Sequence, residues 1–224
     1  LFWVDGMTNI AAATLLFYTF KSPRLKNNEA KEEVEVPTEE SAYKDKTYLW
    51  YIILVMLFGL CFFQLFTTVP KYFRDGLFLS EKYIGFLMAV NGLLIVILEM
   101  VLIYLLEGKR NISFYMAIGT LICALSFLCL LIPGPAAMIS LLMILVITVG
   151  EIIAMPFMNT YWTKRSKPHN RGQYAALFTM AWGVAQTFGP YLVALVIDHK
   201  GYNIAFVLVS MVFCICSLGF TKLK

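Results

Sequence analysis

A carboxylate stands in the middle of a long apolar run in LVITVGEIIAMPFMN, residues 145–159. Glu151 is that carboxylate, and Pro156 follows five residues later. A charged side chain at membrane depth costs about 2.5 to 3.5 kcal/mol on insertion scales unless it faces protein or a hydrated cavity. Such a residue could exchange protons or contact a substrate in a cavity. The alternative is a structural carboxylate that hydrogen-bonds to neighbouring helices.

A second carboxylate, Glu99, lies in another apolar run, eight residues after Asn91. At about 100° per residue, this separation leaves the two side chains about 80° apart on a helix, so one cavity could contact both. Burial disfavours the charged form of a carboxyl group, so either glutamate could exchange protons near neutral pH. The sequence does not decide between them, and helix packing or snorkelling is the alternative for Glu99.

Four other side chains are candidates for binding a substrate. Gln64 forms a polar patch with Thr67 and Thr68 at i, i+3 and i+4, and Asn91 is a similar isolated amide. Hydrogen bonding between helices is the alternative for both amides. Phe63 and Trp182 could stack against a lipophilic cation, with lipid packing as the alternative. The predicted substrate-binding residues are Gln64, Asn91, Phe63 and Trp182.

The elements that carry these residues are predicted to be transmembrane helices. The chain is 60% hydrophobic and 14% charged, with a mean hydropathy of +0.75. This is far more apolar than a soluble domain. Apolar runs of about 20 residues, the length that crosses a bilayer, indicate an all-α membrane bundle of seven spans. They are residues 1–20, 48–72, 83–106, 112–132, 136–162, 172–197 and 202–221.

Residues 21–47 differ from the other breaks because they contain many charges, two prolines and few large apolar side chains. Such a segment cannot bury enough surface to offset its ordering entropy, so we predict a mostly disordered linker. Lysine and arginine are retained on the cytoplasmic side of a membrane. With the linker placed inside, 14 of the 18 basic residues fall on the inner side, which predicts a cytoplasmic linker and C-terminus.

Other classes of function find little support in the sequence. Five cysteines lie within apolar runs and two histidines lie in separate loops, which predicts no metal site and no nucleophile with its base. The sequence has no Gly-x4-Gly-Lys-Ser/Thr loop for a nucleotide, so a pump would use an ion gradient. We therefore predict no enzyme activity, no cofactor and no nucleic-acid partner. The net charge of +4 fits membrane topology.

Three stretches carry a resemblance to a known family: LFWVDGMT at the start, residues 62–99, and GEIIAMPFMNTYWTKRSKPHNRGQYAALF at residues 150–178. The chain resembles the C-terminal part of a major facilitator superfamily carrier and looks most like bacterial proton-coupled multidrug exporters. The resemblance implies that residues 1–20 are the sixth helix, the last of an N-terminal bundle that is otherwise missing. Residues 48–224 would then be the C-terminal six-helix bundle, in the inner (plasma) membrane of a bacterium.

The same resemblance suggests a role for a stripe of small residues. Ala181, Ala185 and Gly189 recur at four-residue spacing and Pro190 follows. In carriers of this superfamily, the helix at this position packs against the N-terminal half and slides as the gates alternate. The stripe is therefore predicted to pack at a gate, with static packing as the alternative.

These observations predict a secondary active transporter that moves a small molecule by alternating access. Proton-coupled drug or metabolite efflux is the leading hypothesis, and proton-coupled uptake of peptides or sugars is the second. A membrane scaffold or sensor that does not transport is the alternative from another class. Glu99 and Glu151 favour transport because a scaffold would gain nothing from their insertion cost. The predicted partners are a small-molecule substrate, protons, the lipid bilayer and the missing N-terminal half.

Overall fold

The computed structural model describes residues 7, 10, 11, 14, 15 and 41–223. The chain divides into two compact units, residues 1–35 and 36–224. In the first unit the five described residues are helical, and the Thr14 hydroxyl donates to the Ile10 carbonyl at 2.7 Å. The rest of the predicted first span, and residues 21–40 of the predicted linker, lie outside the described residues.

The second unit is all-helical over residues 41–223, which confirms the predicted all-α class. Its helices are α1 (Lys46–Phe62), a short 3-10 turn (Phe63–Leu65), α2 (Thr68–Asp75), α3 (Glu81–Leu106), α4 (Ile112–Cys129), α5 (Ala136–Arg165) and the long run Arg171–Thr221. Five of the described helical runs, Lys46–Asp75 and Arg171–Thr221 each counted as one, are long and apolar enough to cross a membrane. These lengths and compositions are those of an integral membrane protein.

The run Arg171–Thr221 is two helices that meet at Gly201. Gly201 has φ 81° and ψ 171°, a left-handed backbone conformation that favours glycine because it has no Cβ. We name the two parts α6 (residues 171–200) and α7 (residues 202–221). Gly189 of α6 and Gly219 of α7 both pack on α1, against Leu60 and Leu54. Two positions so far apart in sequence touch the same short stretch of α1, so α7 folds back alongside α6.

Small residues and hydroxyl groups bring α4 into contact with α5 and α7. A Cβ added to Gly119 of α4 would lie 2.6 Å from the backbone nitrogen of Ala154 on α5, so the two backbones are nearly in contact. On the opposite flank, Ser210 and Ser217 of α7 donate to backbone carbonyls of α4 at 2.9 and 2.8 Å. In a lipid bilayer the hydrophobic effect does not drive helices together. Close contacts at small residues and interhelical hydrogen bonds stabilise their association instead.

The helix α3 lies at the edge of the unit and packs on α5. Leu87 and Asn91 are its buried residues. Much of the rest of α3 is an exposed apolar surface that includes Val96, Met100 and Tyr104. The inner helices instead bury large aromatic rings such as Tyr51, Phe58 and Phe213.

Residues 41–47, which the sequence placed in the linker, are folded onto the bundle. Asp45 caps α1 by accepting from the Tyr48 backbone N–H at 3.0 Å, and it pairs with Arg165 of α5 at 2.6 and 2.9 Å. The Tyr174 hydroxyl of α6 donates to the same carboxylate at 2.9 Å. Ala42 is fully buried beside this cluster. The charge-rich composition of this segment predicted disorder. Residues 41–47 are ordered instead because Asp45 finds partners on other helices, which composition alone does not show.

Candidate functional site

The centre of the candidate site is a hydrogen-bonded group that joins α3 to α5. The Asn91 amide nitrogen donates to the Thr148 hydroxyl oxygen at 2.9 Å and to Glu151 Oε2 at 3.2 Å. Thr148 donates its own proton to the Ile144 carbonyl at 2.6 Å. Thr148 and Glu151 are one helical turn apart on α5, so a single amide of α3 reaches both. Asn91 is only 4% exposed, so this amide is held in place by its partners.

Glu151 itself is half-buried and has no cationic partner in the described chain. The two ion pairs found over residues 41–223 are Arg74 with Asp75 and Arg165 with Asp45. A second carboxylate, Glu99, is also half-buried and lies on α3, eight residues after Asn91. The helix α3 therefore carries both the amide that binds Glu151 and another acidic side chain.

The backbone of α5 beside Glu151 is fixed by a close approach to α4. A Cβ added to Gly150 would lie 2.6 Å from Cys123 Sγ and 2.8 Å from the Gly119 carbonyl oxygen. Sequence reasoning missed Gly119, Gly150 and Thr148. The spacing of Gly150 and Ala154, four residues apart, was a signal for Gly150, since it matches the small-residue pattern that brings helices together.

Gln64 makes its hydrogen bonds within its own segment. It lies at the 3-10 turn that ends α1, fully buried, and its amide donates to the Leu60 carbonyl at 2.8 Å. Its carbonyl oxygen accepts from the Thr68 hydroxyl at 2.6 Å. The end of a helix leaves carbonyls without regular backbone partners, and Gln64 satisfies one of them. Both polar ends of Gln64 are therefore engaged in holding this break in the helix.

Phe63 and Trp182 lie against each other. Their ring centroids are 5.7 Å apart at an interplanar angle of 89°, an edge-to-face contact between the 3-10 turn after α1 and α6. Phe58, Phe62 and Phe178 surround the same indole at 6.1 to 6.3 Å. Phe63 and Trp182 are both half-buried, so this aromatic cluster keeps an accessible edge.

The small-residue stripe of α6 packs against α1, inside the second unit. A Cβ added to Gly189 would lie 2.8 Å from the Leu60 carbonyl oxygen, and one added to Gly59 would lie 2.8 Å from the Ala185 Cβ. Ala181 is also buried, and Pro190 is half-buried. The contacts match the static-packing alternative, and the gate role remains a prediction.

The candidate residues thus fall into two groups. Asn91, Glu99 and Glu151 belong to α3 and α5. Phe63, Gln64, Trp182 and the stripe belong to the contact of α1 with α6. Over the described residues, no cluster of three or more His, Cys, Asp or Glu side chains could hold a metal ion.

A bundle of long apolar helices with ionisable and amide groups at membrane depth defines an integral membrane protein with a polar intramembrane site. Comparison with known proteins identifies the family. The sequence profile of the Major Facilitator Superfamily matches residues 1–190, and the chain belongs to that superfamily.

One similar protein is the "Uncharacterized MFS-type transporter YhjO" of Bacillus subtilis (strain 168). It is 21% identical over 226 residues, an alignment that covers 97% of this chain and 53% of that protein. The chain therefore spans about half the length of this relative. No solved structure matches the chain. The family is one of secondary transporters, which agrees with the predicted class and points away from an enzyme.

Proposed function

We propose that this chain is the C-terminal part of a proton-coupled secondary transporter in which Glu151 carries the proton. The observation that supports the proposal is the placement of Glu151: half-buried at membrane depth, bonded to Asn91 of another helix, and without a cationic partner among the described residues. A carboxylate fixed for structure alone is expected to have enough donors to satisfy its charge. Within the described part of the chain Glu151 has one donor, at 3.2 Å.

The coupling follows from the cost of burying an unpaired charge. When the site is open to water, solvation stabilises the ionised form of Glu151. When the site closes, burying the neutral form of Glu151 costs less free energy than burying the ionised form. Closure is therefore disfavoured when Glu151 holds neither a proton nor a substrate. Asn91 lies on α3 and Glu151 on α5, so relative movement of the two helices would lengthen or break the hydrogen bond between them. A substrate that competes for this carboxylate would be exchanged for a proton.

Glu99 is proposed as the second acidic group of the same site. It is half-buried on α3, about two helical turns from the Asn91 amide that binds Glu151.

Phe63 and Trp182 are the proposed contacts for an apolar or aromatic part of the substrate, because their half-buried rings form an accessible edge. Gln64 and Asn91 hold the helices around them, and Asn91 would contact the substrate when it releases Glu151. Efflux of a drug or metabolite is the proposed direction. This direction is proposed from the resemblance of the sequence to proton-coupled exporters.

The proposed setting is the inner membrane of a bacterium, with the linker and C-terminus in the cytoplasm. The basic loops that precede α4 and α6 support this orientation, because lysine and arginine favour the cytoplasmic side. An N-terminal bundle of the same protein would supply the other wall of the cavity. Alternating access would then be the rocking of the two bundles about a site near the midplane.

The test is pH-gradient-driven flux in vesicles that contain the complete protein. We expect Glu151→Gln to reduce flux of ethidium, a lipophilic cation, to background, and Glu99→Gln to reduce it in part. Glutamine keeps the size and hydrogen-bonding capacity of the side chain but cannot ionise. Glu81→Gln, at the exposed start of α3, is the matched control and should transport normally. Normal flux in both Glu99→Gln and Glu151→Gln would contradict the proposed mechanism.

A further inference from the structure

A groove at the end of the bundle that carries the basic loops is separate from the site at membrane depth. It consists of two adjoining cavities of about 110 and 490 Å³ that share Arg110, Ile112 and Lys164. The end of α3, the start of α4, the last turns of α5 and the end of α7 form its walls. The groove therefore lies where the helices leave the membrane.

The smaller cavity reaches deeper and is partly apolar. Ile103 of α3 and Pro156 and Phe157 of α5 line it, between one and three helical turns from the ends of their helices. Pro156 cannot donate a backbone hydrogen bond, and its ring disturbs the preceding turn, which leaves room beside α5. An apolar lining at this depth fits the start of an acyl chain.

The larger cavity presents hydrogen-bond donors and positive charge. Arg110, Lys164 and Asn111 line it. Ser113 also lines it, but its hydroxyl donates to the Leu223 carbonyl at 3.0 Å. The side chain of Asn111 makes no capping hydrogen bond, so the first N–H groups of α4 are not capped by it. The positive end of the helix dipole adds to the two cations. Each of these features favours an anion.

We propose that this groove binds the phosphate of an anionic phospholipid, with the headgroup between Arg110 and Lys164 and the acyl chain along Ile103 and Phe157. Basic pockets between transmembrane helices on the cytoplasmic side bind anionic headgroups. A lipid is favoured over free phosphate because the polar cavity continues into an apolar one at the membrane boundary. Glu107 also lines the deeper cavity, so the charged lining side chains sum to +1. That sum suits a lipid with one phosphate charge, such as phosphatidylglycerol.

The test is retention of phosphatidylglycerol by the purified complete protein, measured by native mass spectrometry after extraction from vesicles of equal phosphatidylglycerol and phosphatidylcholine. We expect Arg110→Gln and Lys164→Gln each to lower retention about fivefold, since one basic residue near an anionic surface contributes about 1 kcal/mol. Lys109→Gln is the matched control, because Lys109 is in the same loop but does not line either cavity. It should retain lipid as the wild type does.

Wild-type retention in both Arg110→Gln and Lys164→Gln would overturn the proposal. Equal retention of the two lipids would also overturn it, because the groove would then hold only acyl chains. Displacement of phosphatidylglycerol by millimolar inorganic phosphate would show that free phosphate is the ligand and would overturn the lipid assignment.

Discussion

Two carboxylates of this protein, Asp45 and Glu151, differ in how many donors they have. Asp45 accepts from the Arg165 guanidinium, the Tyr48 backbone N–H and the Tyr174 hydroxyl. Burial by itself would raise the pKa of the Asp45 carboxyl, but Arg165 and the other two donors hold that pKa below its ordinary value. Over the described residues, Glu151 accepts from one amide, that of Asn91.

This difference in partners gives Asp45 a structural role, whereas the ionisation of Glu151 can change during transport. Asp45 has a cation and enough donors to remain ionised, so it fixes the start of α1 to α5 and α6. Among the described residues Glu151 has neither, so its ionised form depends on water or a substrate reaching it. The sequence placed Asp45 in a disordered linker, and only its partners in the structure show that it has a structural role.

The largest expected effect comes from moving the helix that holds Glu151. Gly150→Ala would place a Cβ 2.6 Å from Cys123 Sγ and 2.8 Å from a backbone oxygen of α4. Because the backbone cannot yield easily, we expect a loss of about 3 kcal/mol in the free energy of unfolding. Stability in detergent, followed by thermal melting, measures the effect.

Gly92→Ala is the control for that variant. Gly92 lies within α3 with no atom near its added Cβ, so alanine should leave stability unchanged or raise it by up to about 1 kcal/mol. Equal melting of Gly150→Ala and Gly92→Ala would show that α4 and α5 are not held by this contact.

The next effect is at the cytoplasmic-end cluster. Asp45→Asn removes the charge that Arg165 and Tyr174 bind, and we expect a loss of about 2 kcal/mol, less than the roughly 3 to 5 kcal/mol of a fully buried pair, because solvent screens both groups in part. Asp75→Asn breaks the exposed pair with Arg74 and should leave the melting temperature unchanged. Asp45→Asn should also leave flux per folded protein unchanged, in contrast to Glu151→Gln.

The pH dependence of stability provides a finer test of the same cluster. The pKa of Asp45 is lower in the folded state than in the unfolded state, so the unfolded state binds more protons as the pH falls. The stability that Asp45 contributes is complete above its unfolded pKa of about 4 and is lost as the pH falls through the folded pKa. The wild type should therefore melt at lower temperature as the pH drops below about 4, and Asp45→Asn should show a shallower slope. Parallel slopes in the two proteins would contradict the assignment.

The smallest expected effect is at Thr148. Thr148→Val removes the hydroxyl that Asn91 donates to but keeps the shape of the side chain. Hydrogen bonds between transmembrane helices average about 0.6 kcal/mol, so we expect a loss of that size in the free energy of unfolding. Flux should persist, because Asn91 can still donate to Glu151. Loss of flux equal to that of Glu151→Gln would mean that Thr148 belongs to the proton site.

Much of the fold followed from the sequence because a bilayer requires about 20 apolar residues per span. The predicted runs from 83–106 and 136–162 match α3 and α5 closely. The break at Phe63–Leu65 was not predicted. The Gln64 amide satisfies the Leu60 carbonyl there and Thr68 holds the Gln64 side chain, and hydropathy does not register such side-chain bonds.

The site was predictable in part. Glu151, Glu99 and Asn91 were identified as polar groups in apolar runs, and the structure brings them to neighbouring helices. Thr148 was missed because threonine in a membrane helix bonds readily to its own backbone, so its presence in an apolar run is unremarkable in a sequence.

The sequence by itself determined which segments are apolar enough to enter the membrane and which side chains are polar inside them, since both depend on local composition. Only the tertiary structure decided that Asn91 meets Thr148 and Glu151, that Asp45 meets Arg165, and that none of the cations in residues 41–223 pairs with Glu151. A helix repeat fixes the face on which a side chain lies. It does not fix the neighbouring helix, because that choice depends on how small residues such as Gly119 and Gly150 allow the backbones to approach.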